Sequence, residues 1–162
     1  ADRAEAIIRT GELLGAQTMR IDAGGRNESY TNEEFDYIVD RYRTWARRGA
    51  ERGYKIGPEN HWGTEVNPSI MRAICEAVDH PGFGVLVHFK DKDDVQFMDW
   101  AMHTHISWDV VISKLEETLG ALFRTGYQGA WSVEHHSGQD EYDEVAIQLA
   151  SVRRTLRRLS GK

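Results

Sequence analysis

Several residues that can bind metals or move protons each close a short apolar run. Glu59 follows Tyr54-Lys55-Ile56-Gly57-Pro58, His88 follows Val85-Leu86-Val87, His105 follows Met102-His103-Thr104, and Glu134 follows Trp131-Ser132-Val133. Asp22 closes the earlier run Thr18-Met19-Arg20-Ile21. Imidazole nitrogen and carboxylate oxygen are the donors that zinc-type and manganese-type ions take. Carboxylates can also take and return a proton beside a reacting carbon. Each residue has a plainer reading too. Glu59 can cap the following loop, His88 can be a core histidine bonded to a neighbour, Glu134 can belong to a polar turn, and Asp22 serves substrate or structure equally well. Their recurrence at equivalent places favours a site over a series of coincidences.

Spacing refines the choice. His103 and His105 alternate, so both face one side of an extended strand. His105 lies nearer the strand's carboxyl end and is the preferred ligand; His103 is a supporting or core group. His135 and His136 are adjacent, hence point apart on an extended chain, and rank below Glu134 as inward groups. Asn60 and His61 read as loop-shaping or substrate-contacting. Asp91, beside Lys90, reads as solvated but within reach of a pocket rim. Lys55 has the position of an inward strand residue.

Segments of helical period alternate with short apolar ones, and these must position the groups above. Residues 3–14 place Ala6, Ile7, Leu13 and Leu14 on one helical face. A strand over 18–22 stops at Gly24-Gly25. Thr31-Asn32-Glu33-Glu34 has the capping-box pattern and opens a helix with Phe35, Ile38, Tyr42 and Trp45 on it, ending near Gly53. Strand 54–59 follows. Asn67-Pro68 pairs an N-cap with proline at the first helical position, predicting a helix to about Val78. Then come strand 83–89, a short helical stretch over 94–100, strand 102–106, helix 109–124, strand 130–134 and helix 142–159. About five strand–helix units in this order predict α/β architecture with parallel strands and right-handed crossovers. Such sheets carry their reactive groups at the carboxyl ends of strands.

Composition removes several classes. The 162 residues read as a single domain, 1–162. Twenty Lys and Arg against 26 Asp and Glu give a net charge of −6. That is a poor balance for phosphate binding, so no nucleic-acid partner is expected. The single cysteine, Cys75, excludes an internal disulfide and a cysteine-rich zinc finger. There is no long apolar run, so no membrane partner is expected. The N-terminus lacks a secretory apolar region, and the expected location is cytoplasmic.

The ordered set of segments resembles the xylose-isomerase-like TIM barrels of the sugar phosphate isomerase/epimerase superfamily. The resemblance rests on Leu14-Gly15-Ala16 leading to Met19-Arg20-Ile21-Asp22-Ala23-Gly24, on Gly57-Pro58-Glu59-Asn60-His61-Trp62-Gly63, and on Phe83-Gly84-Val85-Leu86-Val87-His88-Phe89. His103-Thr104-His105 and Gly126-Tyr127-Gln128-Gly129-Ala130-Trp131-Ser132-Val133-Glu134 complete it. It covers nearly the whole chain. It implies a partial (β/α)8 barrel lacking its first three strands. The chain is then either a piece of a longer protein or a short variant that completes its sheet by homo-oligomerisation or against the missing barrel half.

The resemblance also implies chemistry: a metal-dependent isomerase or epimerase of ketoses or inososes, acting by proton transfer through an enediolate. The family's two glutamates fall on Glu59 and Glu134, which would hold the metal and move the proton. Its histidine falls on His105, and its aspartate falls on His88. Imidazole in place of carboxylate favours zinc or manganese over magnesium. Asp22, His61 and Asp91 are the implied substrate contacts, and the implied partner is a small polyol or sugar. Three departures support a different outcome, a non-catalytic barrel relative that binds or scaffolds. One is His88 itself. Another is the stretch Ser107-Trp108-Asp109, which runs almost directly into a helix where the family has a longer loop. The third is the lack of the first three strands. A metal-dependent abasic-site endonuclease, which shares the fold, is disfavoured by the acidic charge and by the lack of a later Asp-Arg-His motif.

Overall fold

A computed structural model describes residues 2–135 and 141–161. The chain divides into two compact units, residues 1–86 with 100–102, and residues 87–99 with 103–162. His136 lies outside the described residues.

The first unit begins with α1 (Asp2–Leu14), then β1 (Thr18–Arg20), α2 (Asn32–Arg52), β2 (Lys55–Gly57) and α3 (Pro68–Val78). β1 and β2 run parallel, with Met19 opposite Ile56. Single parallel bridges add residues 83 and 86 beyond β2, Ile56 to Phe83 and Glu59 to Leu86. Gly57 permits this approach, because a Cβ there would collide with the carbonyl of Gly84. β1 and β2 are shorter than the runs 18–22 and 54–59 suggest, but the ladder extends past them: the Ile21 amide still donates to Gly57 (2.9 Å). Alternation sends Met19 and Ile56 into a core with Ile8, Ile21 and Tyr54, against which Ala4, Ala16 and Trp45 pack. Burying each large aliphatic side chain there stabilises the fold by roughly 1.5–3 kcal/mol over leaving it in water. Lys55, between the buried Tyr54 and Ile56, is exposed. Its expected inward position is therefore corrected, because strand period 2 gives the inner face to its neighbours.

Caps set the helix limits. Thr31 Oγ1 accepts from the Glu34 amide at 3.2 Å, and Glu34 Oε2 accepts from the Thr31 amide at 2.8 Å, closing both halves of the capping box. α2 ends at Gly53, whose φ of 81° lies in the left-handed region that glycine adopts without strain. Asn67 Oδ1 accepts from the Ser69 amide at 3.0 Å and Pro68 opens α3, as its sequence requires.

The second unit carries most of β3 (Val85–Phe89), a 3-10 segment over Lys92–Trp100, and most of β4 (Ala101–Ser107). α4 (Trp108–Ser113), α5 (Leu115–Arg124), β5 (Trp131–Glu134) and α6 (Glu141–Leu159) follow. Strand order in the sheet is β3-β4-β5, and β4 runs parallel to β5 with His105 opposite Ser132 and Ser107 opposite Glu134. Ile106, Val110, Leu119 and Val152 form its core, with Trp131, Val133 and Leu156 packed on them. The continuous helix expected over 109–124 is broken at Lys114, whose ψ of 28° and φ of −149° are not helical. The β-branched run Val110-Val111-Ile112 propagates a helix weakly, and the Lys114 amine is instead held by Asp91 at 2.9 Å. No helix among the described residues is long and apolar enough to cross a membrane.

The capping box predicts the outcome of Thr31→Ala. It should cost about 1 kcal/mol, read as a lower urea midpoint with unchanged slope, while Thr44→Ala in the body of the same helix costs less. Equal losses would show that the cap does not hold α2.

Candidate functional site

In the first unit the carboxyl ends of β1 and β2 carry a chain of charge-assisted bonds. Arg20 and Asp22 are two residues apart on β1 and its extension, so they share a face. The Arg20 guanidinium donates to both Asp22 oxygens, Nη2 to Oδ2 at 2.7 Å and Nε to Oδ1 at 3.1 Å. It also pairs with the carboxylate of Glu59. Asp22 Oδ1 accepts from the Glu59 amide at 3.0 Å. Glu59 is fully buried, and a buried carboxylate is tolerated only when a charge or hydrogen bonds answer it. His61 Nδ1 lies 3.7 Å from Glu59 Oε2, and its ring stacks on Trp62 at 4.7 Å.

In the second unit the β4–β5 register does the positioning. The buried residues of β4, Thr104 and Ile106, face the core. His103 and His105 consequently face the other side, with Ser132 the register partner of His105. His103 Nε2 bonds Ser132 Oγ at 2.7 Å. Burial lowers the His103 pKa, the neighbouring His105 adding to the effect. Glu134 Oε2 lies 3.1 Å from His88 Nδ1 and 3.4 Å from His105 Nδ1. The His88 and His105 rings meet edge to face at 6.1 Å. One carboxylate oxygen is thus approached by two imidazoles. His103 bonds Ser132 instead.

The remaining expected positions are placed as follows. Asp91 is half exposed and paired with Lys114; the Lys114 hydrogen bond holds its carboxyl below the usual range. Its turn is tied by Asp94, whose Oδ2 accepts from the Lys90 and Asp91 amides at 2.9 Å each. His135 is turned away from Glu134, contacting Glu144 at 2.6 Å and the Trp108 ring at 5.1 Å.

Two residues escaped the sequence reading. Arg20 had a signal, its i, i+2 alternation with Asp22 just before a glycine turn. Glu65 had none, for it sits in the polar stretch after Trp62. It is fully buried. Its Oε2 accepts from the Ala23 amide at 3.0 Å, and its Oε1 meets the Tyr42 hydroxyl at 3.0 Å. That hydroxyl also reaches the Ile21 carbonyl at 2.8 Å. A hydroxyl has one proton and here faces two acceptors. Both contacts are satisfied when Glu65 itself carries a proton and donates it to Tyr42. Burial pushes the Glu65 pKa up to about 8, with the Asp22 charge adding to it and the Tyr42 and Ala23 bonds opposing it.

Glu59, His61, His88 and Glu134 are donors of the kind that hold a divalent ion.

No protein-family model matches the chain, and no curated protein matches it. Solved structures do. One is a probable 3-DHS dehydratase, AsbF, involved in petrobactin synthesis from Bacillus anthracis, with TM-score 0.70 and 15% identity over 94% of this chain and 71% of that one. A D-tagatose 3-epimerase-like protein gives 0.71 and 17% over 94% and 68%. A xylose isomerase-like TIM barrel/4-hydroxyphenylpyruvate dioxygenase fusion protein gives 0.71 and 19% over 98% and 31%. The fold is that of part of a xylose-isomerase-like TIM barrel.

The proton on Glu65 has a pH signature. Its native pKa of about 8 stands above the ordinary 4.5. Between these values the native state binds more protons than the unfolded chain. Stability from this group is therefore full below the lower value, falls as pH rises, and levels off above about 8, with a slope of at most ~1.4 kcal/mol per pH unit. Glu65→Gln keeps the neutral hydrogen bonds and removes the titration. Urea unfolding at pH 5, 6.5 and 8 should show wild type losing stability relative to this variant at each step; parallel curves would mean that Glu65 is not protonated in the fold.

Proposed function

We propose that the protein is a metal-dependent isomerase or epimerase of a small ketose, inosose or related polyol. Glu59, His88, His105 and Glu134 hold one divalent ion in this reading. The observation that carries it is the Glu134 carboxylate oxygen set between His88 and His105, 3.1 and 3.4 Å from their Nδ1 atoms. The likeness of the fold to an epimerase-like protein and to a probable dehydratase supports the same class. Imidazole at His88 favours zinc or manganese.

When bound, such an ion acts as a Lewis acid toward adjacent oxygens of the substrate. The protein's own residues supply the rest. Glu59 and Glu134 take a proton from the carbon beside the carbonyl and return it. Arg20 keeps Glu59 oriented through its ion pair and through Asp22, which bonds the Glu59 amide. His61 offers a ring nitrogen beside Glu59 for a substrate hydroxyl, and Asp22 and Asp91 are further polar contacts. His103 fixes its own ring on Ser132.

The partner is a small polyol or sugar. Association with a second copy, or with another barrel segment, is part of this reading and is supported by the sheet edges: among the described residues β1 pairs with β2 and β5 with β4, and an open edge invites pairing. A native mass by light scattering of at least twice that of the chain supports self-association, and a monomer at all concentrations removes it.

The metal itself gives the main test. Elemental analysis of the purified protein should find about one equivalent of zinc or manganese per chain, and Glu59→Gln and Glu134→Gln should each lose most of it. Unchanged metal in both variants would remove the site. With metal bound, incubation with a ketose and inosose panel in deuterated water should label the carbon next to the carbonyl. A metal-loaded protein that labels none of them is the non-catalytic barrel relative.

A further inference from the structure

The first unit holds a cavity beside the strand-end network, lined in part by Arg20 and Asp22. It has a volume of about 520 Å³ and lies among the start of α1, the end of β1 and the first half of α2. That size is in the range of small-molecule sites. Arg3, Arg20 and Arg41 line it, with Asp22 as the carboxylate among the lining residues. Asp22 is already committed, holding Arg20 and the Glu59 amide. Arg3 and Arg41 have no carboxylate partner among the described residues. The Arg41 Nε is buried and has no hydrogen-bond partner among them either.

A buried guanidinium nitrogen without an acceptor costs free energy unless something meets it. Two unanswered positive charges in one concavity are the more pointed because the chain as a whole is at −6. The remaining walls are apolar and flat. Trp45 lies under the Arg41 guanidinium at 6.0 Å, and Tyr37 is an exposed aromatic side chain on the same helix face, with Ile7 opposite on α1.

We propose that this cavity is a binding site for an organic oxyanion, a carboxylate or phosphate monoester carried on a ring-sized apolar body. Arg41 and Arg3 hold the oxyanion, and Tyr37 and Trp45 cover the ring. Guanidinium suits this task because its planar donor fork matches carboxylate and phosphate oxygens. The site stands within one unit and requires no metal, so it can be tested apart from the proposed isomerase chemistry, although Arg20 and Asp22 border both.

The test is titration calorimetry on the full chain in buffer containing a chelator, with benzoate, phenyl phosphate and inorganic phosphate as probes. Benzoate and phenyl phosphate separate the carboxylate from the phosphate form of the ligand. At least one of them should bind saturably, and more tightly than inorganic phosphate. Arg41→Gln should weaken that binding about tenfold or more. Arg47→Gln, an equal loss of charge on the exposed part of α2, should leave it within about twofold, and circular dichroism should show both variants folded. The proposal is overturned if neither ring-bearing anion saturates, if inorganic phosphate binds as tightly, or if Arg41→Gln and Arg47→Gln have the same effect. If Arg41→Gln fails to fold, Arg3→Gln takes its place under the same criteria.

Discussion

A carboxylate taken out of water must be answered, and the strand ends of this protein are organised around that requirement. Glu59 is fully buried, and the Arg20 guanidinium answers it while also gripping Asp22. Asp22 closes the loop by accepting the Glu59 amide. The carboxyl ends of two parallel strands are thereby tied by side chains where the backbone ladder has ended. Removing one partner would strand the others, which is why such groups are costly to break even where their net contribution is small. In the second unit Glu134 meets the same demand with two imidazoles in place of a guanidinium.

Glu65 answers the demand in another way. It lies in the same unit as Glu59 and is as deeply buried. Its partners are a tyrosine hydroxyl and a backbone amide, and among the described residues no guanidinium pairs with it. The proton count at Tyr42 and the raised pKa agree that it is a neutral acid. Its task is to hold the chain at Ala23, just past the strand-end aspartate, against α2. One unit thus holds one buried carboxylate by an ion pair and another by hydrogen bonds alone.

The arginines divide by the same logic. Arg20 is spent inside the strand-end network, and Arg48 is spent on Glu12 and Glu5 at 2.8 Å each, bracing α2 against α1. Arg41 lies on the same helix as Arg48 yet has a tryptophan face in place of a carboxylate. What distinguishes them is which side chains of the neighbouring helix they meet: α1 gives Glu5 and Glu12 to Arg48 and Arg3, Ala4 and Ile7 to the cavity beside Arg41.

Helix limits and strand faces were determined by the sequence alone, because they depend on neighbours in the chain. The Thr31–Glu34 box, Asn67-Pro68 and Gly53 act within a turn or two, and the alternation of His103 and His105 follows from the pleat of any strand. The Lys114 break and the outward Lys55 lay just beyond that reach, since an aspartate 23 residues away holds one and the inner places beside the other were taken by Tyr54 and Ile56. Tertiary structure decided which of two histidines would face Glu134 and which would bond Ser132, through the β4–β5 register. It also decided that Arg20 would answer Glu59 and that Glu65, 42 residues from Ala23, would hold its amide. These pairings are set by burial and desolvation, which depend on what the folded chain brings together and leave no periodic trace in the order of residues.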